Sequence, residues 1–428
     1  MATIVPFKGI LYNRKRIKKI GSVVAPPYDI ISAKTQEACY RLSKYNIVRI
    51  ELGKCFKKDT GSDNCYSRAE KFFRQWLKKG VLQQDAEPAV YVYLHRFPKG
   101  ERKAARWGFI ALLKLEREGY RSVYPHEHTL LSPKEDRLKL MEALQANISP
   151  IFFLFPDQRR QVEHLLKREV KRTRPLWNLS SGKEQHTFWR LNRPQMLEFL
   201  QGTFKKKKLF IADGHHRFEV ALAFRRKAHD SRNGNLSQNH VMAYFSNLLD
   251  ENLTILPIHR LIRRLPFKEE ELWKRLNRFF TARKAKGLRV LLSRLEKSKR
   301  AYVYGTVVSN TPYLLQLRKG ISLNRLVAHC PHSSTWKRLE VTVLHEVVLK
   351  KLFGLDEETI RREVAYERDL PTCIEGLNQG QYRIGFFLRP PRIQEVQRIA
   401  LAREKMPQKS TYFYPKPLTG LVLHRFEP

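Results

Sequence analysis

The sequence predicts an α/β protein, an α+β arrangement around a mixed sheet, and three observations carry that prediction. Short apolar runs of strand length, Ala89 to Leu94 and Ile151 to Phe155 among them, alternate with segments whose apolar residues recur every three or four positions. The run Leu209 to Ala212 passes through Asp213-Gly214 into one such segment, with Phe218, Ala221, Leu222 and Phe224 on a single helix face. The 428 residues are 42% hydrophobic and 11% aromatic, which allows two or three domains with proper cores.

Taken in order, Val24-Ala25-Pro26-Pro27-Tyr28-Asp29 is a stiff turn. Two prolines fix the backbone there, and Asp29 can accept from the N–H groups that follow. Tyr45 to Leu52 alternates up to Gly53 and reads as a strand, and Ser67 to Lys79 as a basic amphipathic helix. Val90 to Leu94 and Gly108 to Leu115 read as paired strands joined by a turn around Gly100. A charged turn around Gly119 follows. The spacing then predicts a helix over Lys134 to Ala146, with Pro133 at its first position and Leu138, Met141, Ala143 and Leu144 on its buried side.

Asn147 to Phe152 leads into a further strand, Val162 to Lys171 is a basic helix, and Val241 to Leu248 is a strand. Leu253 to Leu256 runs into Pro257-Ile258-His259-Arg260. Helices predominate from Leu272 to Leu295, with strands near Tyr302 to Thr306 and Tyr313 to Leu317. Leu339 to Leu352 is helical and contains His345-Glu346, but lacks the second histidine of a zinc-protease helix. There are no internal repeats and no long linker. The organisation expected is an N-terminal α/β region over 1–85, a central core over 86–265 and a C-terminal α/β region over 266–428.

Charge narrows the functional classes. There are 82 Lys and Arg against 41 Asp and Glu, a net charge of +41. Such a chain attracts nucleic acid without sequence preference and other polyanions besides. The basic residues are nonetheless scattered, at Asn13 to Lys19, Lys167 to Arg174, Lys205 to Lys208, Arg225 to Lys227 and Arg260 to Arg264. The five cysteines, at positions 39, 55, 65, 330 and 373, have no paired metal-ligand spacing and read as reduced thiols. His329-Cys330-Pro331-His332 has no second cluster near it in sequence to complete a zinc site. No run is long enough to span a membrane, and Met1 to Lys19 has no apolar core of a secretory signal. The expectation is a cytoplasmic protein with no membrane partner; oligomeric state is left open.

Two motifs carry chemistry. Gly214 permits a tight turn and the close approach of a ligand, and the helix after it presents unpaired N–H groups and a positive dipole end. A phosphate suits that position. Arg217 adds a two-pronged grip on phosphate oxygens, and His215 and His216 can donate hydrogen bonds or move a proton near neutral pH. The plainer reading makes Asp213 a helix N-cap with the histidines and arginine solvated behind it. The glycine spacing is neither that of a Walker loop nor of a dinucleotide fingerprint.

The second motif is Tyr124-Pro125-His126-Glu127-His128-Thr129, between a strand and a helix. An extended backbone puts His126 and His128 on one face, whereas a loop lets all three side chains converge. Glu127 is a candidate general base; the alternative is a solvated loop triplet.

Together, Ala25 to Ile31, Pro125 to Thr129, Asp213 to Arg217 and Met406 to Val422 resemble the bacterial and archaeal family called domain of unknown function 1015. The likeness runs along the whole chain and is most specific in the last stretch. Pro417 stands where an aliphatic residue is expected, Gly376 to Gln381 is looser, and the surplus of Lys and Arg is unusual. The Asp-Gly-His-His-Arg element also looks like the phosphate-binding helix start of the sulfiredoxin and ParB-like fold, whose free-serine kinases carry a comparable Pro-His-Glu element.

The resemblance implies a ParB/sulfiredoxin-like nucleotide-binding core with N- and C-terminal additions, and a kinase that uses ATP or ADP and Mg2+ to phosphorylate the hydroxyl of free L-serine. It implies catalytic roles for Glu127, His126, Asp213 and His216. It places nucleotide at Gly214, His215, His216, Arg217, Lys409, Ser410 and Thr411, substrate at Tyr28, Asp29, His128, Lys134 and Arg137, and magnesium at Asp213. For Lys409, Ser410 and Thr411 a structural C-terminal clamp is the competing role. Two other classes stand beside the kinase: a ParB-like nucleic-acid binder, and a metal-dependent hydrolase with His126, His128, His215 and His216 as ligands.

Overall fold

A long antiparallel hairpin forms the middle of the main sheet: Val90–Lys99 pairs with Arg102–Lys114 across the turn at Gly100. A computed structural model describes residues 1–116, 120–230 and 236–426, so the turn expected around Gly119 lies outside the described residues. The contacts divide the chain into two units: 1–124 with 129–254 and 415–428, and 125–128 with 255–414.

The first unit holds a sheet of nine strands. Its order is Val123–Tyr124, Leu209–Asp213, Ile151–Phe155, His240–Asn247, Arg102–Lys114, Val90–Lys99, Glu184–Leu191 and Trp177–Ser181, with Ile4–Val5 also on Arg102–Lys114. Two pairings are parallel, Leu209–Asp213 on Val123–Tyr124 and His240–Asn247 on Ile151–Phe155; the others are antiparallel. The α/β class and the mixed sheet are therefore as the sequence predicts.

Alternation sorts the sheet's two faces. One presents Val90, Val92, Leu94, Phe109, Phe153 and Phe245 to the apolar sides of the helices Gln161–Val170, Pro194–Phe204 and His215–Asp230, through residues such as Leu165, Leu200 and Phe218. The other carries Tyr91, Tyr93, His95 and Phe97, with Arg106 and Tyr244. Arg106 is fully buried there and donates to the carbonyl of Pro415. The last residues pair back on the N-terminal region through Ala25–Thr419 and Ile10–Leu423. Within 1–85, Ile10–Tyr12 pairs with Leu82–Gln84, while Ile4–Val5 joins the main sheet.

The second unit is built on a six-stranded antiparallel sheet, in the order Phe280–Lys284, Thr311–Leu317, Val303–Val308, Ile384–Phe387, His259–Ile262 and Val364–Glu367. Leu261, Leu291, Val303, Val307, Leu377 and Phe387 make its core with the helices Leu288–Lys297 and Leu370–Asn378.

Two local expectations are corrected. Tyr45 to Leu52 is no strand, because Val48–Glu51 is helical. The Asn46 side chain accepts from the Val48 N–H at 3.0 Å and donates to Ser22 O at 2.8 Å, and that local capping overrides the alternation. Helices predominate from Leu272 to Leu295 as expected, in Glu269–Asn277 and Leu288–Lys297, and the strand Phe280–Lys284 lies between them, held by its long-range partner Thr311–Leu317. In the helix Leu131–Leu144 the buried residues are Arg137, Leu140 and Leu144, while Leu138, Met141 and Ala143 are half-buried. Pro133 is its third residue, still within the first turn where no helical hydrogen bond is lost.

Candidate functional site

In the first unit the strand Leu209–Asp213 ends at Gly214, and the helix His215–Asp230 begins at the next residue. Gly214 has φ +91°, and its carbonyl accepts the first helical bond, from Phe218 N–H at 2.9 Å. A glycine in that position brings no side-chain oxygen to the first N–H groups of the helix. A Cβ on Gly214 would stand 3.0 Å from Arg217 Nε and 3.1 Å from its Cζ. The missing side chain therefore makes room for the arginine of the same turn.

Arg217 is 8% exposed and its terminal nitrogens work inside the protein. Nη1 donates to Ser149 Oγ at 3.0 Å and Pro150 O at 2.6 Å, and Nη2 to Asp213 Oδ2 at 2.6 Å. The outward fork expected from the sequence is thus turned inward, while the buried Nε finds no partner among the described residues. Asp213 Oδ1 lies 2.5 Å from Lys416 Nζ, and Lys416 also pairs with Asp29. Burial works against the Lys416 ammonium, yet the two carboxylates outweigh it and raise its pKa above the ordinary value.

The cluster continues inward. Ser149 Oγ donates to Glu51 Oε1 at 2.9 Å; Arg137 donates to Glu51 O at 2.7 Å and pairs with Asp136 at 2.6 Å. The Tyr28 ring lies 4.4 Å from the Arg137 guanidinium, and burial pushes the Tyr28 hydroxyl up to about 12 despite Arg217 and Arg137. Burial also raises the Glu51 carboxyl, against Arg137 and Arg217. Lys416, Arg217 and Arg137 face Asp29, Asp213, Glu51 and Asp136, three cations against four carboxylates, so every cation of the cluster is matched.

Beside it, His216 Nε2 accepts from the Leu130 N–H at 3.0 Å, which puts the ring proton on Nδ1. Lys134 pairs with Glu219 at 3.2 Å, and His215 is 6% exposed. Magnesium does not fit at Asp213, because both carboxylate oxygens are held by cations.

In the second unit Glu127 is half-buried and joins Met406 through a single parallel bridge. Oε1 of Glu127 accepts from the Lys409 N–H at 3.3 Å, with Lys409 at φ +53°. The three side chains of the triplet part: His126 is 1% exposed, whereas His128 is exposed. His126 Nε2 shares a hydrogen bond of 2.9 Å with Thr411 Oγ1, and burial pushes its pKa down to about 4, so the ring is neutral at pH 7. Ser410 donates to Pro407 O. The Ser410 hydroxyl is therefore engaged within its own loop and the Thr411 hydroxyl by His126. Arg260 is buried, donates to Lys409 O at 3.1 Å and lies over the Tyr366 ring. Burial lowers its pKa to about 10, against the pull of Tyr366 and Glu127.

Among the described residues three groups have donor atoms close enough for a metal: Cys55 with Asp59 and Cys65, His95 with Glu184 and His186, and His329 with Cys330 and Glu346. His126, His128, His215 and His216 belong to none of these groups. All five cysteines are unbridged. No described helix is long and apolar enough to cross a membrane.

A family model described as "Protein of unknown function (DUF1015)" matches residues 4–342. The chain belongs to the DUF1015 family. The match stops short of Met406 to Val422, the stretch in which the sequence likeness is most specific. No curated protein matches this DUF1015 chain. Solved structures similar to it include a conserved hypothetical protein from Pyrococcus furiosus, at 12% identity and TM-score 0.34, over 71% of this chain and 90% of that one. A free serine kinase in complex with AMP is similar at 12% identity and TM-score 0.34, over 71% and 86% of the two chains. SbnI with a C-terminal truncation, from Staphylococcus aureus, is similar at 12% identity and TM-score 0.34, over 72% and 85%.

Sequence reasoning missed Lys416, Glu51, Ser149 and Arg260. Lys416 had a local signal, a lone cation between Pro415 and Pro417. Glu51 was hidden in a segment read as a strand, and Ser149 and Arg260 carry no local signal.

Proposed function

We propose that the protein is a nucleotide-dependent phosphotransferase that phosphorylates the hydroxyl of free L-serine. The observation that carries the nucleotide half is the start of the helix at His215, directly after a glycine at positive φ. The first N–H groups and the dipole of a 16-residue helix suit phosphate oxygens there. Arg217 Nε, without a partner among the described residues, and Lys416, paired with Asp213 and Asp29, stand alongside. Because every cation of the cluster is matched, an arriving phosphate competes with Asp213 for Lys416 and Arg217.

The acceptor follows from the resemblance of the Pro-His-Glu element to that of free-serine kinases. In the reaction the serine oxygen forms a bond to the terminal phosphorus, the bond from that phosphorus to the bridging oxygen breaks, and the nucleotide, shorter by one phosphoryl group, leaves with the electron pair on that oxygen. Glu127 takes the hydroxyl proton. Asp213 acts by holding Lys416 and Arg217, and the neutral His126 by tying Glu127's loop to Thr411.

Calorimetric titration with ATP and with ADP tests the first half, and detection of O-phosphoserine after incubation with nucleotide, a magnesium salt and L-serine tests the second. Binding of one nucleotide and serine-dependent product are expected. Absence of binding by both nucleotides overturns the reading.

A further inference from the structure

The second unit contains a cavity of about 490 Å³ whose wall is dominated by cations: Arg260, Lys299, Arg300, Arg338, Arg389, Arg392 and Arg398. Two carboxylates share it. Glu340 is taken by Arg389, and Glu395 by Arg392 at 2.9 Å. Among the described residues the other five cations have no carboxylate in ion-pair contact. Five like charges that line one small volume repel one another, Arg260 from a buried position and the other four from exposed ones. The first unit's cluster offers the contrast, since there carboxylates outnumber cations.

The cavity is also shaped for a ligand. Its size lies within the range of small-molecule sites, and Ile258, Leu339, Val341 and Leu388 give it an apolar floor. Tyr302 on its rim has φ +57°, a costly conformation for an aromatic residue. The strain is held by two bonds: the Tyr302 N–H donates to Glu340 at 2.9 Å, and its hydroxyl to Arg338 O at 3.3 Å. These bonds fix the segment that carries Lys299 and Arg300 against the segment that carries Arg338. Arg389 reinforces it by donating to Arg300 O at 2.8 Å. Strained backbone, buttressed arginines and uncompensated charge converge on one place.

We propose that this cavity binds a small polyanion bearing at least two adjacent phosphoryl groups. Arg338 and Arg398 grip the phosphoryl oxygens, with Lys299 and Arg300 closing the opposite side and the buried Arg260 at the floor. The ligand is either an inorganic polyphosphate or the polyphosphate tail of a nucleotide whose remainder lies on the apolar floor.

The test is calorimetric titration of the full chain with sodium tripolyphosphate at physiological salt. One saturable site is expected. The double variant Arg338→Ala with Arg398→Ala, at two exposed positions, should bind at least ~10-fold more weakly. A charge-matched double variant elsewhere, Lys71→Ala with Lys78→Ala on the helix Cys65–Lys78, should bind as the wild type does. Equal weakening in both variants would mean that the net charge alone attracts the probe, and would overturn the proposal, as would the absence of a saturable site. A parallel titration with ATP, read as the difference between wild type and the arginine variant, separates the sources. A larger difference than for tripolyphosphate assigns the nucleotide, and an equal one the inorganic chain.

Discussion

Lys416→Met removes the cation that ties Asp213 to Asp29. The side chain is 5% exposed and its ammonium touches two carboxylates, Asp213 at 12% and Asp29 at 31% exposure. Methionine keeps the length and apolar stem but leaves both carboxylates short of a partner. Removing one member of a buried ion pair costs about 3–5 kcal/mol. Two features place this case at the lower end. Arg217 still neutralises Asp213 through Oδ2, and Asp29 is open enough to regain water. We expect a loss of about 3 kcal/mol in the first unit, a large fraction of the ~5–15 kcal/mol that holds a typical domain folded. Hydrogen exchange at the amides of Leu209–Asp213 reads that unit separately from the second. The variant Asp29→Asn with Lys416→Met should recover about 1 kcal/mol, because one stranded charge is gone. The pH dependence has a fixed sign. The Lys416 pKa is raised in the folded state, so its contribution is complete below the ordinary lysine value of 10.5 and fades as pH climbs through the folded value. The gap between wild type and variant should therefore close only in strong alkali. A loss under about 1 kcal/mol at pH 7, or a gap that widens above pH 10.5, would refute the reasoning.

Glu127→Gln should leave nucleotide affinity unchanged and slow phosphoserine formation by about 10²–10⁴-fold, since it removes only the proton acceptor; turnover within a few-fold of wild type would take Glu127 out of the reaction. Gly214→Ala should destabilise the first unit by about 1–2 kcal/mol through positive φ, with a further cost for displacing the Arg217 guanidinium, measured by urea unfolding. Acid should weaken the second unit between pH 6.5 and about 4, because burial depresses His126 and His259 to about 4 and the unfolded chain takes up protons first. Each depressed histidine is worth about 3 kcal/mol at the foot of that window, and His126→Asn should flatten the profile; an unchanged profile would show that His126 is not responsible.

Elements with strong local periodicity were legible in the sequence, and those decided by distant partners were not. The hairpin Val90–Lys99 with Arg102–Lys114 and the strand–turn–helix at Gly214 follow from alternation, glycine and helical spacing. Phe280–Lys284 is a strand because Thr311–Leu317 pairs with it, and nothing within its five residues announces that. Val48–Glu51 misleads in the other direction, since the side chain of Asn46 caps a turn that alternation alone reads as extended.

The candidate site divides along the same line, and charge shows why. Asp213 to Arg217 stand out because five polar or flexible residues interrupt an apolar context. Their partners, Lys416, Asp29 and Ser149, lie far off in sequence and reveal themselves only once the chain closes on itself. The sequence shows +41 as scattered runs, which suggests a diffuse surface property. Folding redistributes it. Around Gly214 the cations meet enough carboxylates to cancel, so the helix start, and not net charge, is what that turn offers an anion. In the second unit cations from four separate stretches reach one cavity with too few carboxylates to balance them. A run of lysines such as Lys205 to Lys208 is conspicuous in a sequence, yet solvated charge is screened and costs little. Arginines held close together cost free energy until an anion arrives, so their convergence, rather than the total, is the feature that calls for a ligand.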